Sequence, residues 1–195
     1  MIQQFKNKKT GFALLISMLV VGVVVSVGLS LLELTIKQLA LSTNSKDSET
    51  ALHAANAGLE CAQYWRNAEY ADFETGVNVN ASCFGLSKTF IKSSSEPDSG
   101  DISGSGNAYK YDVEFDWPSS PRCSKITMLV MVADNESASG VTVSGMPSLI
   151  SGYGSDTKHC ESGGICTVMS VRGYNKGCGD VGGFGTIERQ VLLES

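Results

Sequence analysis

The sequence predicts an α+β fold: a long N-terminal helix, membrane-spanning in its first half, packed on a C-terminal antiparallel β-sheet with long disulfide-tied loops. Three observations carry the prediction. Residues 12–32 are 21 positions without a charge, sixteen of them Ala, Val, Ile, Leu, Met or Phe. A helical spacing of small and apolar residues continues from there to about residue 67. Beyond it, short apolar runs alternate with Ser/Gly-rich stretches that hold six cysteines. A chain of 195 residues accommodates one domain plus an appendage rather than two full domains. The implied segments are a leader at 1–11, a spanning helix at 12–33, its amphipathic continuation at 34–67 and an exported β-rich domain at 68–195.

The leader carries Lys6, Lys8 and Lys9 and no acid, which leaves 12 basic against 20 acidic residues, a net of −8, in the remainder. A bilayer is crossed by roughly 20 apolar residues in a helix, so the run suffices. Cleavable secretory signals have apolar cores of about 7–15 residues ending in an A-x-A-like site. The nearest candidate, Ser26-Val-Gly28, lies inside the run with more apolar sequence after it, so the segment reads as a retained anchor. Lysines before the run and acids after it place the N-terminus in the cytoplasm and the bulk outside. The cysteines, Cys61, Cys83, Cys123, Cys160, Cys166 and Cys178, all follow the span. An even number behind a membrane-directing segment indicates disulfides formed in an oxidising compartment. The acidic remainder repels phosphates, so no direct nucleic acid partner is expected.

Past the span, Ala51, Ala55, Gly58, Ala62 and Trp65 make one stripe at helical spacing, and Glu49, His53, Asn56, Glu60, Gln63 and Asn67 make the opposite one. Such a narrow, alanine-lined face lets a helix approach a sheet closely. The polar stretch Ser42-Thr43-Asn44-Ser45-Lys46 has weak helix formers and is a candidate bend. If continuous from residue 12 to 67, the helix is about 80 Å long at 1.5 Å per residue. Four strands follow. Tyr109, Tyr111, Val113, Phe115 and Trp117 alternate with charged residues, and Pro118-Ser-Ser-Pro121 ends that strand as a turn. Met128-Leu-Val-Met-Val-Ala133, within 123–133, suits a central strand covered on both faces. Residues 165–171 and 186–193 complete the set, the latter with Ile187, Val191 and Leu193 in register, and Val141-Thr-Val143 reads as a short edge. Residues 85–107, 145–164 and 173–185 read as long Gly/Ser-rich loops, the first a flexible low-complexity segment.

Lys8-Lys9-Thr10-Gly11-Phe12 followed by Ala13-Leu14-Leu15-Ile16-Ser17 is a short basic leader ending in Gly, then Phe and an unbroken apolar helix. This pattern resembles the prepilin signal of type IV pilins and type II secretion pseudopilins. The alanine-rich stretch from Asp47 to Cys61 is similar to the A-x-x-A-A-x-A-G-L segment of minor pilins of the PilX-like kind. The resemblance covers the first third of the chain and implies several things. A membrane-bound prepilin peptidase cuts between Gly11 and Phe12 and methylates the new terminus at Phe12. The apolar helix stays as an anchor in the inner membrane and joins other pilin or pseudopilin subunits in a filament. Strand order in the sheet follows from the resemblance alone. One position departs: the fifth mature residue, usually Glu, is Ile16, a trait of certain minor and tip subunits, so the resemblance points to a minor or initiating subunit.

Six cysteines allow fifteen connectivities, which sequence does not decide between. The preferred set is Cys61–Cys83, tying the helix to the following loop, with Cys160–Cys166 and Cys123–Cys178, all of which restrain otherwise loose loops. His159, Cys160, Cys166 and Cys178 lack the C-x2-C spacing of a zinc site, and exported cysteines are more often oxidised. Oxygen ligands for calcium are conceivable at Asp134-Asn135-Glu136 and at Asp98 with Asp101, although loop acids are usually just solvated. The stretch 177–185 has no Lys-Ser/Thr and is no phosphate loop. Two histidines, one of them His53 on the polar stripe, leave no catalytic set, so neither an enzyme nor a cofactor or metal is expected. The resulting expectation is a minor pilin or pseudopilin active in assembly or surface interaction. The alternative is a membrane-tethered exported binding domain that never polymerises.

Overall fold

The computed structural model describes residues 9–94, 97–98, 101–118, 120–135 and 139–195, with side chains from residue 12 onward. Met1 to Lys8, which include Lys6 and Lys8 of the expected leader, and Glu136 of the candidate calcium loop lie outside the described residues. Helix α1 (Lys9–Ala68) is followed by α2 (Tyr70–Thr75), β1 (Val79–Cys83), β2 (Leu86–Lys92), β3 (Ile102–Gly104), β4 (Gly106–Asp116), β5 (Cys123–Ala133), β6 (Val141–Ser144), α3 (Met146–Leu149), β7 (Thr157–Cys160), β8 (Ile165–Tyr174) and β9 (Glu188–Glu194). The chain divides into two units, one ending at Lys46 and one from Asp47 to Ser195. The fold is α+β, a long N-terminal helix and an antiparallel sheet.

The first unit is helical from Lys9 onward. Ser42–Lys46 does not interrupt the helix. There the Thr43 hydroxyl donates back to the carbonyls of Leu39 and Ala40, at 3.1 and 2.9 Å, so its polarity is absorbed inside the helix instead of breaking it.

In the second unit β1-β2-β4-β5-β8-β9 form a six-stranded sheet, and β3-β6-β7 form a smaller one. All pairings are antiparallel. The docked stripe of α1 is the alanine-lined one: Ala51, Ala54, Ala55 and Ala62 are buried, while Glu49, His53, Asn56, Glu60 and Asn67 are exposed. A Cβ on Gly58 would come within 2.8 Å of Val171 Cγ1, so the contact needs a residue without one. Between helix and sheet lies a core of Phe73, Phe90, Tyr111, Phe115, Ile126, Met128 and Val171. On the other face Leu129, Met131 and Val168 meet Val143, Met146 and Ile150 beneath the small sheet and α3. Strand β5 thus feeds alternate side chains to both cores, which is why its sequence from Met128 to Ala133 is continuously apolar. Each such side chain contributes roughly 1.5–3 kcal/mol by burial.

Four expectations are corrected, the first that residues 145–164 form one loop: they hold α3 and β7, which pairs with β6. Residues 85–107 are not one flexible loop, because Leu86–Lys92 pairs with Val79–Cys83 in a hairpin and Ile102–Gly104 pairs with β6. Serine-rich composition hid the alternation that puts Phe90 into the core. Val141–Ser144 is the middle strand of the small sheet, not an edge, with Val141 and Val143 fully buried. The last strand begins at Glu188, one residue after Ile187, whose N–H is taken instead by Asn175 Oδ1 at 2.7 Å.

The β1–β2 connection is a two-residue turn of Phe84 and Gly85, both at positive φ, 55° and 79°. A hairpin turn of that kind normally uses Asn or Gly at the first position. Phe84 is held there by stacking on Trp117, ring centroids 4.3 Å apart, while Cys83 beside it is bonded to the helix.

Candidate functional site

The feature that stands out chemically is the apolar half of α1. From Phe12 to Leu41 its large side chains are exposed, Phe12 at 69% and Leu19 at 62%. Exposed apolar surface on this scale marks a contact with lipid or with another apolar surface. Two of its serines bond internally: the hydroxyls of Ser17 and Ser26 donate to the carbonyls of Leu14 and Val23, each at 2.8 Å. It is the described helix long and apolar enough to cross a membrane, consistent with single-pass anchoring. The first charge after Phe12 is Glu33, paired with Lys37 at 2.8 Å one turn on, both exposed. Ile16 is half exposed on the same segment. Around Gly22 and Gly28 the space is open, leaving two points where a second helix could approach closely.

The junction Gly11–Phe12 lies inside α1, two residues after the first described helical residue, Lys9.

All six cysteines are oxidised. Cys61–Cys83 joins α1 to the end of β1, Cys123–Cys178 joins the start of β5 to a 3-10 turn at Cys178–Asp180, and Cys160–Cys166 joins β7 to β8 across the two sheets. Cα separations are 5.9, 4.8 and 5.7 Å in that order.

The polar candidates are spread rather than gathered. His53 is exposed, its Nε2 3.6 Å from Glu49 Oε1. His159 Nδ1 lies 2.8 Å from Thr142 Oγ1, and its neighbour Cys160 is in a disulfide. Asp134 accepts the Ser105 hydroxyl at 2.7 Å, and Asp101 accepts the Asp98 N–H at 3.2 Å. Among the described residues no group of three His, Cys, Asp or Glu is placed to hold a metal ion.

Two polar groups that the sequence did not single out are buried against the sheet. Arg66, on the docked side of α1, donates to Thr167 Oγ1 at 3.2 Å and to Glu74 Oε1 at 3.0 Å, fastening α2 and β8 to the helix. Tyr111 donates to the Phe73 carbonyl at 2.9 Å, and burial pushes its phenol up to about 12. Hydrogen bonding to Glu194 raises Lys158, and the pair bridges β7 to β9.

Fold and segment together define a chain with one helix able to cross a bilayer and a disulfide-tied α+β unit. No family model, no curated protein and no solved structure matches it.

Proposed function

We propose that this chain is a minor type IV pilin or pseudopilin, a filament subunit that acts in assembly or surface interaction after prepilin-type processing. The observation that carries the proposal is the uncharged, exposed half of α1 directly behind Lys8-Lys9-Thr10-Gly11-Phe12. In this reading a prepilin peptidase, active at the cytoplasmic face of the inner membrane, cuts between Gly11 and Phe12. The cut leaves the apolar run from Phe12 onward whole. Phe12 then carries the methylated amine.

The domain from Asp47 onward has its own two cores and three disulfides, so the exposed apolar side chains are available to lipid before assembly and to other subunits' helices after it. Ile16, where a bulk pilin subunit has Glu, leaves no acid to pair with a neighbouring terminal amine, which favours a minor or initiating place. The domain is exported in this scheme, where the cysteines meet oxidants.

Gly11→Asp tests the proposal. The variant should accumulate as full-length precursor in the membrane fraction, because a side chain is introduced at the residue before the cut. Normal maturation of the variant would sink the proposal and leave a tethered binding domain that does not polymerise.

A further inference from the structure

Strand β9 closes one side of the six-stranded sheet and is paired only with β8. Ser195 and Thr167 exchange backbone bonds, at 3.0 and 2.8 Å, and this pair sets the phase of the ladder. Successive residues of an antiparallel strand bond alternately to one side and the other. Arg189, Val191 and Leu193 therefore bond to β8, and the N–H and C=O groups of Glu188, Gln190, Leu192 and Glu194 point away from the sheet. Among the described residues nothing bonds those backbone groups. The opposite edge, β1, differs: there the Trp65 indole N–H takes the Ser82 carbonyl at 3.1 Å. Sheet edges are commonly blunted by lysine, proline or a bulge. Strand β9 has neither lysine nor proline, and its register with β8 is unbroken from Glu188 to Glu194.

Helix α1 runs beside this edge. The Ser48 hydroxyl accepts from Arg189 Nε at 2.7 Å, and Arg66, five helical turns on, bonds Thr167, the backbone partner of Ser195. Leu52 and Leu59 lie between these two ties on the same stripe of the helix. Leu59, Val191 and Leu193 are partly covered, packed against the inner core, whereas Leu52 is 41% exposed. The inner side of the edge is thus an apolar shelf left half covered. The outer side carries Glu188, Gln190, Leu192 and Glu194, a carboxylate at each end, all exposed.

A strand that joins β9 bonds main chain to main chain and sends alternate side chains to opposite faces. Those turned toward α1 meet Leu52, Val191 and Leu193, which apolar groups would finish covering. Those turned outward meet Glu188 and Glu194 on an acidic domain, which basic groups complement. Glu194 already holds Lys158, so Glu188 offers the stronger attraction. The geometry points to a strand-addition site at the free edge of β9, taking an extended segment of another protein in which apolar residues alternate with basic ones. The site lies wholly within the domain, so the inference stands or falls separately from N-terminal processing.

The test uses the full chain in a neutral detergent. The probes are three dye-labelled synthetic peptides: alternating valine and lysine, alternating valine and glutamate, and the lysine peptide with all its backbone nitrogens methylated. The lysine peptide should bind and slow amide exchange at Glu188, Gln190, Leu192 and Glu194, the four residues whose N–H groups are free. The glutamate peptide should bind about tenfold more weakly, because two exposed attractions become repulsions. The methylated peptide, stripped of its donors, should not bind. Leu192→Pro removes an outward N–H that β8 does not use, and should abolish binding while amide protection in β8 is kept. Should that variant fail to fold, Leu52→Ser, at an exposed helix position, gives the same reading as a weakened affinity. Absence of binding, binding without protection of those four amides, equal binding of the methylated peptide, or no preference for lysine over glutamate would overturn the inference. So would protection of the same amides in the chain alone that grows with its concentration, since the edge would then belong to a second copy.

Discussion

Gly173 on β8 sits under the helix so closely that an added Cβ would fall inside van der Waals distance of the Ala51 carbonyl oxygen and the Ala55 nitrogen. These are backbone atoms and have no rotamer to yield. Gly173→Ala should therefore lift α1 from the sheet and cost about 3 kcal/mol or more, read as a lower denaturation midpoint. Gly58→Ala faces the movable Val171 methyl and should cost less. Equal losses at both sites would contradict the packing described. Tyr111 makes a second residue-scale prediction. Its phenol is raised from 10.0 to about 12, first by burial, and Tyr174 is raised to about 12, first by burial and then by its bond to Glu188. A raised pKa means stability that is complete below pH 10 and is lost as pH climbs from 10 toward 12. Denaturation midpoints measured across that window should fall steeply. Tyr111→Phe should start about 1 kcal/mol lower, for the lost bond to the Phe73 carbonyl, and fall less. An unchanged slope would show that Tyr111 does not govern the alkaline transition.

At the scale of elements, the β1–β2 hairpin depends on its covalent tie. Cys61–Cys83 closes 22 residues of sequence, and removing it should cost about 3 kcal/mol. Cys61→Ser/Cys83→Ser should also raise amide exchange in 79–90 before any change in β5, because β2 is bonded to β4 over a short register only. Uniform exchange across the sheet would mean that the hairpin and sheet open as one. Elements with strong periodicity were legible beforehand. The alternation from Tyr109 to Trp117 and the apolar run in 123–133 gave β4 and β5, and the alanine stripe gave the docked face of α1. Those patterns follow directly from which side chains must leave water. The hairpin was not legible, because its turn uses Phe84 where Asn or Gly would signal it, and that choice depends on Trp117, more than thirty residues away. Of the small sheet only β6 was legible, as Val141-Thr-Val143; β3 and β7, three and four residues long, are too short to display a period. Arg66 was illegible as a buried group, since its burial rests on Glu74 and Thr167 meeting it from elsewhere in the fold.

For the whole molecule, two chemistries are joined in one chain. One is a helix whose first 21 residues from Phe12 carry no charge and expose large apolar side chains, and the other is a disulfide-tied domain with its own cores. The first was read directly from 21 uncharged positions, because a lipid-facing segment needs nothing from the rest of the chain to be recognised. The proposed filament role rests on the junction ahead of the helix, and mass spectrometry of the N-terminal peptide from protein isolated in its native envelope tests it most directly. A mature chain beginning at methylated Phe12 is the predicted result. A chain that keeps Met1, or one that begins near Leu29, would contradict prepilin processing and leave an anchored or released disulfide-tied domain.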